Sequence, residues 1–151
     1  MKIDALDLRN HLKNNLGSLY IVYGDELLLA SEAADLIRSA AKYKGFADRV
    51  ILVAENRFDW LKLKEQSQAV SLFSTNKVVD LRIPTGKPGK SGSEALQDYV
   101  KNIPDNTITL ITLPGLDRNS RASNWCAAIE KCGVSVEVKK LYREQLPRWT
   151  G

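Results

Sequence analysis

One histidine, one methionine and two cysteines are all that the 151 residues offer of the side chains best suited to metals and redox chemistry. His11 has no plausible catalytic companion in the sequence and reads as a surface residue. Cys126 and Cys132 share the segment NWCAAIEKCGV. Spaced six apart on one helix they do not face each other, and two are too few for a disulfide framework or a zinc site. They read as ordinary half-buried thiols, and no cofactor is expected. No apolar run approaches the roughly 18 residues needed to span a bilayer, so no membrane partner is expected. The opening MKIDALDLRNHLKNN lacks the continuous apolar core of a secretory signal, which fits a cytoplasmic, bacterial setting. Neither G-x-S-x-G nor H-E-x-x-H occurs. The net charge of +4 is mild and the lysines are scattered. No basic stripe interleaved with aromatics marks a nucleic-acid face, so the charges read as a solvated surface.

What is present is enough apolar material for a single folded domain: 44% hydrophobic and 26% charged residues. Asp4 to Leu16 carries Leu6, Leu8, Leu12 and Leu16 at rough helical spacing, and Gly17 ends it. SLYIVYG and RVILVA read as buried strands, with the helical DELLLASEAADLIRSAAKY between them. Asp59 caps a helix through WLKLKEQSQAV. KVVDLRI is a third strand, PTGKPGKSG a loop, and SEALQDYVKN a helix. NTITLITL, then the helix RNSRASNWCAAIEKC, then the strand VSVEV complete the alternation. Five strands are expected, near residues 19–23, 49–53, 77–83, 107–113 and 134–138. Strands alternating with helices predict a three-layer α/β domain, its largely parallel sheet covered on both faces. The tail LYREQLPRW restarts a helix or turn, so residues 1–140 are expected to be one domain and 141–151 the start of a linker or second domain, cut at its boundary.

Such a fold invites a test for a phosphate-binding loop, G-x-x-x-x-G-K-[ST]. Pro84 to Ser91, PTGKPGKS, supplies Gly89, Lys90 and Ser91 in order between a strand and a helix, which keeps a P-loop NTPase as the alternative reading. However, Pro84 stands where the first glycine belongs. The loop works by curling backbone N–H groups around phosphate oxygens, and Pro84 and Pro88 supply none. The strand ITLITLPG ends at Leu113-Pro114 with no carboxylate to hold Mg²⁺. At the first strand, Gly24 could begin such a loop, but Leu29 and Ala30 fall where Gly-Lys would be. The nucleotide site is degenerate.

One corner stands apart. In QAVSLFSTNK a helix hands over to a strand, and the large adjacent pair Leu72-Phe73 sits among Ser71, Ser74, Thr75 and Asn76. On pattern alone the pair either turns inward and closes a core or points out and grips a partner.

The blocks LYIVYGDELLLASEAADLIR, DW before a helix, QAVSLFSTNKVVDLRIP, ITLITLPGLDRNSRASNW and QLPRW, in this order, resemble the delta subunit family of bacterial DNA polymerase III over essentially the whole chain. The resemblance implies an AAA+/P-loop-like module that has lost ATP binding. It implies a clamp-loader domain that binds and helps open the beta sliding clamp for loading onto primed DNA. Such a domain has no catalytic activity of its own, although the holoenzyme is a DNA-directed DNA polymerase, a nucleotidyltransferase. The other partners implied are the gamma/tau and delta prime subunits, reached mainly through further domains, and primed DNA indirectly. It implies that Leu72 and Phe73 insert into a hydrophobic pocket on the clamp. Val70 then matches a further apolar contact, and Ala69 and Ser71 complete the motif. Clamp-binding peptides commonly carry glutamine in the place of Ala69; here Gln68 lies one position earlier.

Overall fold

The computed structural model describes residues 2–4, 7–14, 16–24, 27–55, 57–68, 76–103, 106–115 and 122–138. In chain order these residues form β1 (Lys2–Asp4), α1 (Leu8–Asn14), β2 (Leu19–Gly24), α2 (Leu27–Tyr43) and β3 (Asp48–Val53). They continue as α3 (Leu61–Gln68), β4 (Lys77–Arg82), α4 (Gly89–Val100), β5 (Thr107–Leu113), α5 (Asn124–Cys132) and β6 (Val134–Val138). The strands make one sheet in the order β1-β6-β2-β5-β4-β3. Every pairing is parallel.

The sheet has six strands where the sequence predicts five. The extra one, Lys2–Asp4, sits on the edge and pairs only with β6. It corrects the helix expected from Asp4: the helical stripe is real at Leu8 and Leu12, both buried, but it starts after a three-residue edge strand.

The alternation of the central strand sorts its side chains onto two cores. Leu19, Ile21 and Tyr23 face one side, where they meet Leu63 of α3, Leu96 and Tyr99 of α4, and Trp125 and Ile129 of α5. Tyr20 and Val22 face the other, against Leu8 and Leu12 of α1 and Ala33, Ala34, Ile37 and Ala41 of α2. The small alanines spaced along α2 form its buried face and let its axis lie close to the strands. Gly45 ends this helix at φ 97°, a left-handed conformation open to a residue without Cβ.

Burying both faces explains the continuous apolar strands, with β2 and β6 fully buried. RVILVA does not share that fate. It forms β3 on the opposite edge, and Ile51 and Val53 remain 49% and 40% exposed. The reason is coverage: α2 lies over β2, β5 and β6 and leaves that face of β3 open. The loop expected from Pro84 to Gly92 is also shorter than predicted, because α4 starts at Gly89. Cys126 is buried and Cys132 exposed. His11 is half-buried rather than a plain surface residue, with Nε2 3.1 Å from the Tyr20 hydroxyl. That hydroxyl also accepts the Gly17 N–H at 2.7 Å, and burial raises its pKa while this hydrogen bond lowers it.

Candidate functional site

A parallel sheet offers two ends for function, and ligands usually collect at the carboxyl ends of the strands. Here the carboxyl end of the central strand is closed by backbone. Gly24 pairs with Val138 of β6, and its N–H donates to the Pro114 carbonyl at 3.1 Å. A Cβ at this position would run into the Val138 carbonyl. Gly24 therefore serves close strand packing on both sides, and it is not the free first residue of a phosphate loop. Asp25 and Glu26, which follow it, lie outside the described residues.

In the second candidate loop, Pro84 to Ser91, two of the N–H groups are committed to near neighbours in sequence. Gly86 N–H donates to the Ile83 carbonyl at 2.9 Å. Lys87 N–H donates to Thr85 Oγ1 at 3.2 Å, and that hydroxyl lies 3.1 Å from the Lys87 carbonyl. Pro84 and Pro88 have none to give. What remains is the first turn of α4, where Lys90 and Ser91 are exposed and no side chain caps the helix. β4 ends in Arg82, a cation in a place where metal-assisted phosphoryl transfer wants a carboxylate. Among the described residues no group of three or more His, Cys, Asp or Glu is placed to hold a metal ion.

The amino end of the sheet is built differently. α3 begins with Leu61 N–H donating to Asp59 Oδ1 at 3.0 Å, the expected Asp59 cap. Leu63 anchors α3 in the core. Near the far end of the helix, Gln66 Oε1 accepts from Lys77 Nζ at 2.8 Å. That bond ties the last turns of α3 to the first residue of β4. Burial pushes the Lys77 amine below its ordinary pKa. Lys77 N–H also donates to the Asn106 carbonyl at 3.0 Å, and the Asn76 carbonyl accepts from Asp48 at 3.4 Å. The chain therefore re-enters the sheet wedged between the starts of β3 and β5. Nearby, Tyr99 of α4 shares a 2.6 Å hydrogen bond with Thr109 of β5. Burial drives the Tyr99 phenol up to about 12, against the lowering effect of that bond.

Of the six residues singled out from the sequence, Gln68 is the last residue of α3. Ala69, Val70, Ser71, Leu72 and Phe73 lie outside the described residues. What the structure supplies is their frame: a span held by α3 at one end and by β4 at the other, at the amino end of the sheet.

Fold and site together define a parallel α/β module in the P-loop style, without a complete phosphate cradle among its described residues. The sequence model of the family described as "DNA polymerase III, delta subunit" matches residues 20–139, and the chain belongs to that family. It is 26% identical over 142 residues to DNA polymerase III subunit delta of Escherichia coli (strain K12), covering 94% of this chain and 41% of that protein. It is 23% identical over 145 residues to the corresponding subunit of Haemophilus influenzae (strain ATCC 51907 / DSM 11121 / KW20 / Rd), covering 94% and 42%. Among solved structures, the Bacillus subtilis DNA clamp loader delta protein superposes with a TM-score of 0.72 at 19% identity, over 97% of this chain and 45% of that one. The chain thus spans about two fifths of the curated relatives it matches.

Proposed function

We propose that this chain is the clamp-binding part of a clamp-loader delta subunit, acting in DNA replication by gripping a beta sliding clamp and favouring its open form. Family membership supports the setting. The observation that supports this reading is the frame at the amino end of the sheet, where the Lys77–Gln66 bond ties the last turns of α3 to the start of β4, the two elements that precede and follow Leu72 and Phe73 in sequence.

The mechanism is binding energy applied to a ring. A domain that binds the open clamp more tightly than the closed one shifts the equilibrium toward opening, by no more than that difference in affinity. Adjacent Leu and Phe anchors entering a formed pocket suit this task, since full burial of each contributes roughly 1.5–3 kcal/mol. Val70 adds apolar contact, and Gln68, Ala69 and Ser71 frame the motif. No nucleotide chemistry by this chain is needed: Gly24 is occupied in strand packing and the 84–91 loop is closed on itself. Other clamp-loader subunits and primed DNA are partners of the larger assembly. The test is co-elution of this chain with the cognate clamp by size exclusion, repeated with Leu72→Ala/Phe73→Ala. Co-elution lost in the variant, with its melting temperature unchanged, is the expected result. Co-elution that survives the double substitution overturns the assignment of the pair.

A further inference from the structure

Where α2 borders β3 and β4, a charge cluster is assembled from three separate segments. Asp80 of β4 is fully buried, yet its Oδ2 receives Arg38 Nε at 2.9 Å, Arg82 Nη2 at 3.3 Å and Arg49 Nε at 3.4 Å. Arg38 turns its Nη1 to Asp35 Oδ1 at 2.6 Å. Three guanidiniums meet two carboxylates, so one positive charge is left over. Arg38 is spent, with both of its contacts on acids and its side chain only 18% exposed. Arg49 and Arg82 are not. Each touches Asp80 through one nitrogen, and their side chains are 42% and 40% exposed. Among the described residues their other N–H donors have no protein partner.

These residues line a cleft of about 570 Å³ at the carboxyl ends of β4 and β5. Ala34 of α2, Leu113 at the end of β5, and Pro84 and Pro114 beyond the strands give it apolar walls. Among the described residues Asp35 is the one acid lining it, and it is already paired with Arg38; Asp80 lies buried behind the arginines. A guanidinium presents a rigid fork of donors that matches phosphate oxygens two at a time. Two forks held by one buried carboxylate arrive already oriented, so little side-chain freedom is lost on binding.

We propose that Arg49 and Arg82, oriented by Asp80, form a phosphate-binding site that takes the phosphodiester backbone of a nucleic-acid strand. The backbone is favoured over a free nucleotide because the donors are side chains in an open cleft. The N–H nest that would wrap a terminal triphosphate is absent from the neighbouring 84–91 turn. Apolar walls beside the forks give a base or sugar a surface to lie on. The site is independent of the clamp-binding pair.

The experiment is fluorescence anisotropy of a labelled single-stranded oligonucleotide with the 151-residue chain, across a salt series. Arg49→Gln/Arg82→Gln is expected to weaken binding at least tenfold at low salt. Losing two phosphate contacts should also flatten the log–log salt slope by about 1.4, at about 0.7 per contact for a single strand. Arg49→Lys/Arg82→Lys keeps cations against Asp80 and protects the fold; it should lose several-fold affinity with little change in slope. Lys87→Gln/Lys90→Gln, on the neighbouring loop, should have the smaller effect. Unchanged binding by the glutamine pair, or a loss confined to the loop pair, overturns the proposal. So does Mg-ATP binding that the glutamine pair abolishes while the oligonucleotide still binds. Equal displacement by poly-glutamate of matched charge would reassign the cleft to acidic protein segments.

Discussion

The two ends of the sheet use the same strands and solve opposite problems. At the carboxyl end, backbone meets backbone: Gly24 is wedged against Val138, and within the turn from Ile83 to Lys87 the Gly86 and Lys87 N–H groups are taken by Ile83 and Thr85. What anion chemistry remains there is carried by arginine side chains. At the amino end, side chains pin the elements in place: Lys77 to Gln66, and Tyr99 to Thr109. The proposed clamp site would use this fold from the end opposite the usual one, between two elements held together by side chains.

The largest effect expected is on the amino end. Leu72→Ala/Phe73→Ala should lower clamp affinity more than a hundredfold, since each hot-spot residue is worth about 2–4 kcal/mol and each 1.4 kcal/mol is about a factor of ten. The melting temperature should stay within a degree or two. A large drop in melting temperature instead would mean that the pair closes the core, and the contrast between the ends would fail.

At the carboxyl end the order of effects should reverse. Gly24→Ala forces a methyl into the Val138 backbone and should cost about 1–3 kcal/mol of stability, read by denaturant melts. Clamp affinity per folded molecule should not change. If the substitution is neutral, the strands there are not closed as tightly as described.

The Tyr99–Thr109 brace sharpens the amino-end account through pH. The folded pKa of Tyr99 is raised from 10.0 to about 12. The neutral phenol is favoured in the fold, so this stabilisation is fully present below pH 10 and is lost as pH rises through about 12. The loss should approach 2–3 kcal/mol, at about 1.4 kcal/mol per unit. Tyr99→Phe should cost about 1 kcal/mol at neutral pH, by leaving the Thr109 hydroxyl unpaired, and should remove this part of the alkaline decline. An identical alkaline profile in both proteins would sink the assignment.

The smallest expected effect is none. Calorimetry with Mg-ATP should show no saturable heat at Gly24 or at Gly89-Lys90-Ser91. Micromolar binding abolished by Lys90→Ala would restore the alternative of an active P-loop.

Much of the fold could be read in advance because parallel strands buried on both faces write long apolar runs, as in LYIVYG and TITLITL. Three features could not. Lys2–Asp4 is too short to show a period, and its pairing with β6 is set entirely by tertiary position. RVILVA is as apolar as a central strand, so nothing local marks it as an edge. The start of α4 hides behind four loop-like residues, Gly89 to Gly92, that a helix tolerates in its first turn. The candidate clamp site was read from the adjacency of Leu72 and Phe73 and from family resemblance, both of which are local. The arginine cluster was invisible for the opposite reason. Arg38, Arg49 and Arg82 come from a helix and two strands, and only the β3–β4 register brings Arg49 and Arg82 to one carboxylate. The local hints were a charged residue, Asp80, in the middle of a buried strand and Arg82 two residues on, on the same face.

The edge strand β1 has a consequence in time. Among the described residues its one partner is β6, the last of the described strands, and β2 also waits for β5 and β6 on either side. As the chain leaves the ribosome at about 5–20 residues per second, β2 has neither neighbour for several seconds or more. The β3–β4 pair, joined by α3, is the first parallel unit that can form. Contacts this distant in sequence make folding slow. Until Val138 emerges, a strongly apolar central strand keeps an open edge, so the nascent chain is most prone to aggregate while the residues between β2 and β6 are being made.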